Sequence, residues 1–554
     1  MGRSPEERIT SSTAREICQR LGSEAMLTGQ ISQLADHYYI QLEAFNCASG
    51  DSIGRSGAEA SSKGETLKAL DAAVTDIRGK LGESLGSIQK YDAPIEQATT
   101  TSLEALKAYS LGQAARNRGE EQSAVPFLQR AIELDPDFAM AYAVLGQVYA
   151  NIGETELAVE NTRKAFARRE KVGDQERFYI STHYYDNVTH ELDKSVQTYE
   201  LWQQTYPRDV VPRINLTEFY KKRGEHEKAL AEILEAQRLD PNRAVVHESL
   251  VDAYICLGRL ADAKTSYAES IARGFNGQDL QEKRYIIAFL EKDGITMQHL
   301  AAAATGQRSE NVFLALDAGT AAYDGRLREA EDFMRRATET ARRDGQISSA
   351  AIWLGWEALA EAEYGRAEQA KTSALSALKT AKTHDAQILA ALALARAGDT
   401  ARAEALAASL AQQYPTDTLL NVVWIPAIRA QLELDRNNGA AALRLLEPAA
   451  PYDLGEMGDL PPMFVNFLRG EAYLQLGDGK SAASEFEKII AHPGIVNGYV
   501  HGALARLDLA RARALAGDLS GSRAAYRDFL ALWSDADASV AMFLQAKTEY
   551  SKLG

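Results

Sequence analysis

Three short segments contain part of a phosphate-binding or zinc-binding motif, and each lacks a residue that the chemistry requires. Gly477–Ser481 reads GDGKS and supplies the lysine and hydroxyl of a phosphate loop, but Leu474 occupies the position of the first glycine. The His-Glu pairs at 190–191 and 247–248 begin like a zinc-protease helix, but no second histidine follows four residues later. We therefore interpret GDGKS as a turn and predict no zinc-protease helix.

The remaining residues that could bind a metal or act as nucleophiles do not form a recognisable set. Cys18, Cys47 and Cys256 are too few for a disulfide scaffold or a structural zinc site. His183 and His190, with the two tyrosines that follow His183, are dense enough to consider as metal ligands, but packing is the simpler interpretation. We predict that the chain is not an enzyme and has no catalytic residue, cofactor or metal.

A run of three basic residues, 221–223, ends a predicted helix. Cations are favoured at a helix C-terminus because the helix dipole is negative there. We interpret Lys221, Lys222 and Arg223 as a cap exposed to solvent.

Composition excludes several classes of protein. The 554 residues include 61 basic and 77 acidic side chains, for a net charge of −16, and no basic block that could neutralise phosphates. We therefore expect no nucleic-acid partner. The longest apolar stretches, such as the one starting at Thr418, are shorter than the ~18 residues of a membrane span. The opening MGRSPEERIT is polar and predicts no signal peptide.

A glycine followed five residues later by a small residue recurs along the chain. The first two occurrences are 34 residues apart, as are the third and fourth, and His190/Ser195 and Asn437/Ala442 fit gaps in the series. A 34-residue period of paired helices is typical of the tetratricopeptide repeat. The pairs are Gly119/Ala124, Gly153/Ala158, Gly224/Ala229, Gly258/Ala263, Gly325/Ala330, Gly365/Ala370, Gly398/Ala403, Gly477/Ala482 and Gly517/Ser522.

The expected architecture is mainly α: a right-handed tetratricopeptide-repeat superhelix of about twelve helical pairs, preceded by a small incomplete α/β module. The first ninety residues predict a helix, a β-hairpin, a third short strand and a second helix. The predicted domains are a module at 1–90, a linker at 91–102, regular repeats at 103–275, a degenerate repeat at 276–310, and looser repeats with a C-terminal capping helix at 311–554.

Several segments together resemble one family. MGRSPEERIT, REICQRLGSEAMLTGQI, LEAFNCASGD, TTTSLEALKAYSLG and the tail AAYRDFLALWSDAD are similar to the sensor region of membrane-anchored, eukaryotic-like Ser/Thr protein kinases of acidobacteria. In that family a kinase domain and one membrane span precede a TolB-like α/β module and a long tetratricopeptide array. The resemblance covers this second half alone, because the glycine-rich, His-Arg-Asp and Asp-Phe-Gly motifs of kinases are absent.

Cys18 lies on the first predicted helix and Cys47 at the end of the second predicted strand. Adjacent elements of a small module can bring two Cα atoms within the ~7 Å that a disulfide requires. A disulfide and a pair of buried thiols both remain open. A disulfide would favour the extracytoplasmic placement that the family resemblance implies.

Stacked repeats offer the inner faces of their first helices to partners. By analogy with the repeat family, the positions on this face include Lys221, Asp252 and Cys256. The most polar stretch is the predicted partner-binding surface, which consists of Tyr109, Gln113, Arg116, Asn117, Gln147 and Asn151.

Two functions follow from the sequence. The first is a non-catalytic scaffold or sensor that binds protein or peptide partners and, if the chain is complete as given, lies in the cytoplasm. The second is the regulatory half of a transmembrane Ser/Thr kinase, on the extracytoplasmic face of the inner membrane.

Overall fold

The computed structural model of the chain describes residues 11–20, 24–83, 100–117 and 121–553. The stretch MGRSPEERIT and most of the predicted linker at 91–102 lie outside these residues. The chain divides into two units, Met1–Val188 and Thr189–Gly554, and each is described by itself. The domain limits predicted from the sequence stay predictions.

Unit 1 begins with a three-stranded antiparallel sheet in the order β1-β2-β3. The strands are β1 (Ala25–Leu34), β2 (His37–Asn46) and β3 (Ser52–Ala60), and the helices that flank them are α1 (Ser11–Arg20) and α2 (Thr66–Lys80). Alternate residues Leu42 and Ala44 of β2 are buried against Ala73 and Ile77 of α2. This burial explains why apolar side chains alternate along the strand. The predicted helix, hairpin, third strand and helix are confirmed.

Helical pairs make up the rest of unit 1 and almost all of unit 2. In unit 1 the helices are α3 (Leu103–Asn117), α4 (Glu121–Leu134), α5 (Ala139–Asn151), α6 (Thr155–Phe166) and α7 (Asp174–Asn187).

The first half of unit 2 consists of helices only. They are α8 (Leu192–Thr205), α9 (Val211–Lys222), α10 (His226–Leu239), α11 (Ala244–Cys256), α12 (Leu260–Ala272), α13 (Gln278–Glu291), α14 (Gly294–Ala304), α15 (Glu310–Tyr323), α16 (Leu327–Arg343), α17 (Ile347–Glu363) and α18 (Ala367–Thr380).

The second half of unit 2 also contains one π-helical turn, Leu420–Trp424, and a 3₁₀ turn, Glu447–Tyr452. Its helices are α19 (His384–Arg396), α20 (Thr400–Gln413), α21 (Ile425–Asp435), α22 (Gly439–Leu446), α23 (Phe464–Gln475), α24 (Gly479–Ala491), α25 (Pro493–Val496), α26 (Val500–Leu515), α27 (Leu519–Leu532) and α28 (Ala541–Ser551). From α3 to α27 the described residues contain twelve successive helical pairs, so the predicted fold class is confirmed.

The turn between the two helices of a pair recurs in the same form. Gly153 follows α5 with a φ of +80°, and the N–H of Glu154 donates to the carbonyl of Tyr149 at 2.8 Å. This bond satisfies a helix-end carbonyl, and glycine adopts the left-handed conformation at little cost. His190 and Asn437, at the two positions that lack the glycine, also have positive φ values of 52° and 57°. The sequence series therefore marks the turns of the helical pairs.

Two segments from the second half of unit 2 cross the first helices of its earlier pairs. We call residues 453–463 the inner loop and residues 493–499 the inner turn. From the inner loop, the N–H of Glu456 donates to the carbonyl of Lys221 at 3.0 Å, and the carbonyl of Asp459 accepts from the indole of Trp356 at 2.7 Å. From the inner turn, Gly494 packs directly on the backbone of Ile255. Unit 2 thus covers part of its own inner face.

Gly494 lets the inner turn approach α11 closely. A Cβ atom placed on Gly494 would overlap the carbonyl oxygen of Ile255, which is backbone and cannot rotate away. We predict that Gly494→Ala lowers the free energy of unfolding of unit 2 by about 1–3 kcal/mol, the usual cost of overpacking. The measurement is urea unfolding followed by tryptophan fluorescence, which reports unit 2 because all five tryptophans lie there.

The matched control is Gly294→Ala at the start of α14. A Cβ atom at Gly294 meets nothing within 4 Å, so its stability should be unchanged or slightly higher. Equal stability of the Gly494→Ala and Gly294→Ala proteins would contradict the close approach.

Candidate functional site

The predicted partner-binding surface lies on α3 and α5 of unit 1. Gln113 donates from Nε2 to the hydroxyl of Tyr109 at 3.1 Å, one helical turn away. Gln147 donates in the same way to Oδ1 of Asn151 at 2.8 Å. Each pair has the i,i+4 spacing that places two side chains on one helix face. The side chain of Asn117 lies outside the described residues.

Residues that sequence reasoning missed join these two pairs into one network. Glu121 accepts from Nδ2 of Asn151 at 2.9 Å and pairs with Nε of Arg116 at 3.5 Å. Asn187 donates from Nδ2 to Oε1 of Gln147 at 3.2 Å. Arg116 also reaches the hydroxyl of Tyr179 at 3.5 Å. The network therefore extends over three successive first helices, α3, α5 and α7.

A buried carboxyl group lies beside this network. Burial raises the pKa of Glu176 to about 8, and its Oε2 atom has no hydrogen-bond partner among the described residues. Burial also raises the pKa of Tyr109, and the nearby Tyr179 and Glu176 raise it further. The surface therefore holds a neutral acid and hydroxyl groups that can donate hydrogen bonds at neutral pH.

His183 has the packing role that the sequence favoured. It is buried, its ring stacks on Tyr179 with centroids 4.0 Å apart, and burial lowers its pKa to about 4. Tyr184 stacks on Phe166 at 3.7 Å. In unit 2, His190 stacks on His384 at 5.2 Å. These rings serve as packing surfaces within their own units.

Unit 2 contains a buried cluster of charged side chains. Lys221 is 4% exposed, so the prediction that it belongs to a solvent-exposed cap is wrong. Its ammonium pairs with Asp252, with Glu218 at 2.9 Å and with Glu456 of the inner loop at 3.0 Å. Lys283 pairs with the other oxygen of Asp252 at 2.5 Å. We call Lys221, Asp252, Lys283 and Glu456 the buried charge cluster.

The buried charge cluster contains a possible set of metal ligands. The ligand atoms of Asp252, Cys256 and Glu456 lie within 4.8 Å of one another. However, Asp252 already binds two ammonium groups, and burial raises the pKa of the Cys256 thiol well above its usual value. A divalent cation would have to displace Lys221 and Lys283 and deprotonate the thiol. The arrangement is therefore an ion-pair network that joins α9, α11 and α13 to the inner loop.

A cavity of about 340 Å³ lies next to this cluster. Its walls come from α13, α15, α16 and α17, and the inner loop, the inner turn and the start of α26 complete it. Trp356 and Tyr499 form part of the apolar wall, with ring centroids 5.2 Å apart. The period of the repeats gave no signal for this cavity, because residues more than 100 positions apart form it.

The buried charge cluster generates a prediction about stability. Lys221→Met should lower the free energy of unfolding of unit 2 by about 3–5 kcal/mol, because it leaves buried carboxylates without their cation. Lys222→Met is the matched control, since Lys222 is partly exposed and has no place in the cluster. Tryptophan fluorescence during urea unfolding measures both variants. Similar midpoints for the two would contradict the assigned role of Lys221.

Comparisons with known proteins agree with the repeat architecture. Two family models, both described as tetratricopeptide repeat, match residues 127–160 and 108–138. No curated protein sequence matches the chain.

Several solved structures are similar to parts of the chain. A thermophilic tetratricopeptide-repeat protein of Thermus thermophilus is 21% identical, with a TM-score of 0.29, and the match covers 34% of this chain and 99% of that one. For a tetratricopeptide-repeat protein of Parabacteroides merdae the values are 14%, 0.31, 48% and 98%. For yeast Tom70 they are 12%, 0.27, 81% and 95%. Given the family models and the repeated turns, the helical pairs of this chain form a tetratricopeptide-repeat array.

Proposed function

We propose that the chain is a non-catalytic scaffold or sensor that binds a peptide segment of a partner protein on the network of unit 1. The observation that carries this proposal is the hydrogen-bonded network from Tyr109 to Asn187 across three first helices. An extended peptide has free N–H and C=O groups along its length. Side-chain amides offer both donors and acceptors to such a backbone.

The chemistry of the network supports binding rather than catalysis. Within the described part of unit 1, Gln113 uses one of its N–H groups on Tyr109, which leaves its carbonyl oxygen for an incoming donor. Arg116 supplies a cation that Glu121 holds from the side at 3.5 Å. We expect protein or peptide partners and no nucleic acid, in keeping with the net charge of −16.

Peptide selection tests this proposal. The full chain is used to select binders from a random peptide library, and affinities are measured by fluorescence anisotropy. We predict that Arg116→Glu and Asn151→Leu each weaken the selected peptides about tenfold, equivalent to about 1.4 kcal/mol. Arg130→Glu is the control, because Arg130 lies on a second helix, α4, with its side chain 60% exposed. Unchanged affinity in Arg116→Glu and Asn151→Leu would sink the proposed surface.

A second candidate function is the regulatory half of a transmembrane Ser/Thr kinase. The observation that favours it is the pairing of Cys18 with Cys47, whose Cα atoms lie 5.7 Å apart and whose sulfur atoms are bonded. Disulfides persist in oxidising compartments such as the periplasm and are rare in the cytosol. In the described residues no helix is both long and apolar enough to cross a membrane.

A thiol count tests the disulfide. Protein purified from its own source without reductant should show one reactive thiol after denaturation, that of Cys256, and three after reduction. Reduction should also destabilise the sheet module by about 3 kcal/mol, because the bond closes a loop with a sequence separation of 29. Limited proteolysis of the module measures this loss. Three reactive thiols before reduction would argue against the extracytoplasmic alternative.

A further inference from the structure

We infer that the cavity of unit 2 binds an organic cation, an ammonium or guanidinium group carried by a small molecule or by a basic side chain of a peptide. This site is separate from the network of unit 1, and the inference stands or falls independently of the proposed function.

Carboxyl groups without a countercharge supply the attraction. Seven carboxyl side chains line the cavity, and three of them pair with lysine or arginine. Among the described residues, Glu282, Glu357, Glu361 and Asp459 have no ion pair. The ammonium of Lys283, which also lines the cavity, is held by Asp252. The cavity therefore carries unbalanced negative charge.

Glu363 gives an independent indication of a missing ligand. Its side chain is 1% exposed, and Oε2 pairs with Arg396 at 3.0 Å. The other oxygen, Oε1, is buried and has no hydrogen-bond partner among the described residues. A buried acceptor that is left unsatisfied costs about 1–3 kcal/mol, so such groups usually have a partner. A donor in the cavity would supply it.

Aromatic rings make the cavity suitable for an organic cation rather than a bare metal ion. Trp356 and Tyr499 present ring faces and edges to the space that Asp459 and Glu357 also line. Ammonium and guanidinium groups are attracted to aromatic faces as well as to carboxylates. A hydrated magnesium ion needs oxygen ligands on all sides and gains nothing from an indole. The combination of ring and carboxylate therefore favours the organic cation.

The energetics of the empty cavity are consistent with this ligand. Burial raises the pKa of Glu361, Glu363 and Asp459 to about 7 in each case. Ionisation of these groups is thus opposed mainly by desolvation, and a bound cation would offset that cost. Trp356, Glu357 and Asp459 are partly exposed, so solvent and solutes reach the site.

Calorimetric titration of the full chain at about pH 8, where these carboxyl groups are mostly ionised, tests the inference. The probes are agmatine, which carries a guanidinium and an ammonium group, and the peptide acetyl-Gly-Lys-Gly-amide, so the two arms distinguish a small molecule from a basic side chain. The neutral peptide with norleucine in place of lysine and magnesium chloride are the comparisons. We expect at least one cationic probe to bind with a Kd below about 1 mM, and the comparisons to bind at least about tenfold more weakly.

Two variants then locate the binding. Asp459→Asn and Glu357→Gln remove charge from carboxyl groups that have no ion pair in the described residues, so the fold should survive, as circular dichroism will check. Each should weaken the cationic probe about tenfold. Glu368→Gln is the control, since its side chain is 85% exposed on α18. The inference is overturned if neither cationic probe binds, if magnesium or the norleucine peptide binds equally well, or if folded Asp459→Asn and Glu357→Gln proteins keep full affinity.

Discussion

The attraction of Asp252 for two buried ammonium groups holds unit 2 in its folded arrangement. Lys221 comes from α9 and Lys283 from α13, and Asp252 on α11 lies between them. A charge buried in this way is costly unless it is paired, so the three helices must keep their relative positions. Glu456 extends the same requirement to the inner loop, which lies 173 or more residues away in sequence from the three helices.

This constraint changes what the inner face of the array can do. An open array offers that face to a partner along its whole length. In unit 2 the inner loop and inner turn lie against it, and the space that they leave is an enclosed cavity rather than a groove. Unit 1 keeps a polar network on its first helices, with Gln113 and Gln147 half-buried. The two units therefore present different kinds of surface, one suited to an extended backbone and the other to a compact group.

The local structure could be predicted well because its causes are local. Gly153 and the residues that replace glycine, His190 and Asn437, mark left-handed turns that the neighbouring residues dictate. The alternation in β2 follows from one-sided burial against α2. The interpretation of Lys221 as an exposed cap was wrong because a helix C-terminus favours a cation whether or not the helix end is buried. Its partners, Asp252 and Glu456, lie 31 and 235 residues away.

The sequence by itself determined the fold class, the series of helical pairs and which face of each first helix points inward, since these depend on period, turn residues and small side chains within about 34 positions. It also placed Tyr109, Gln113, Arg116, Gln147 and Asn151 on one surface. The tertiary structure alone decided that Glu121, Tyr179 and Asn187 complete the network, and that unit 2 folds over its own inner face. Such contacts depend on the summed geometry of many helix pairs, in which small angular differences accumulate beyond the reach of any local pattern.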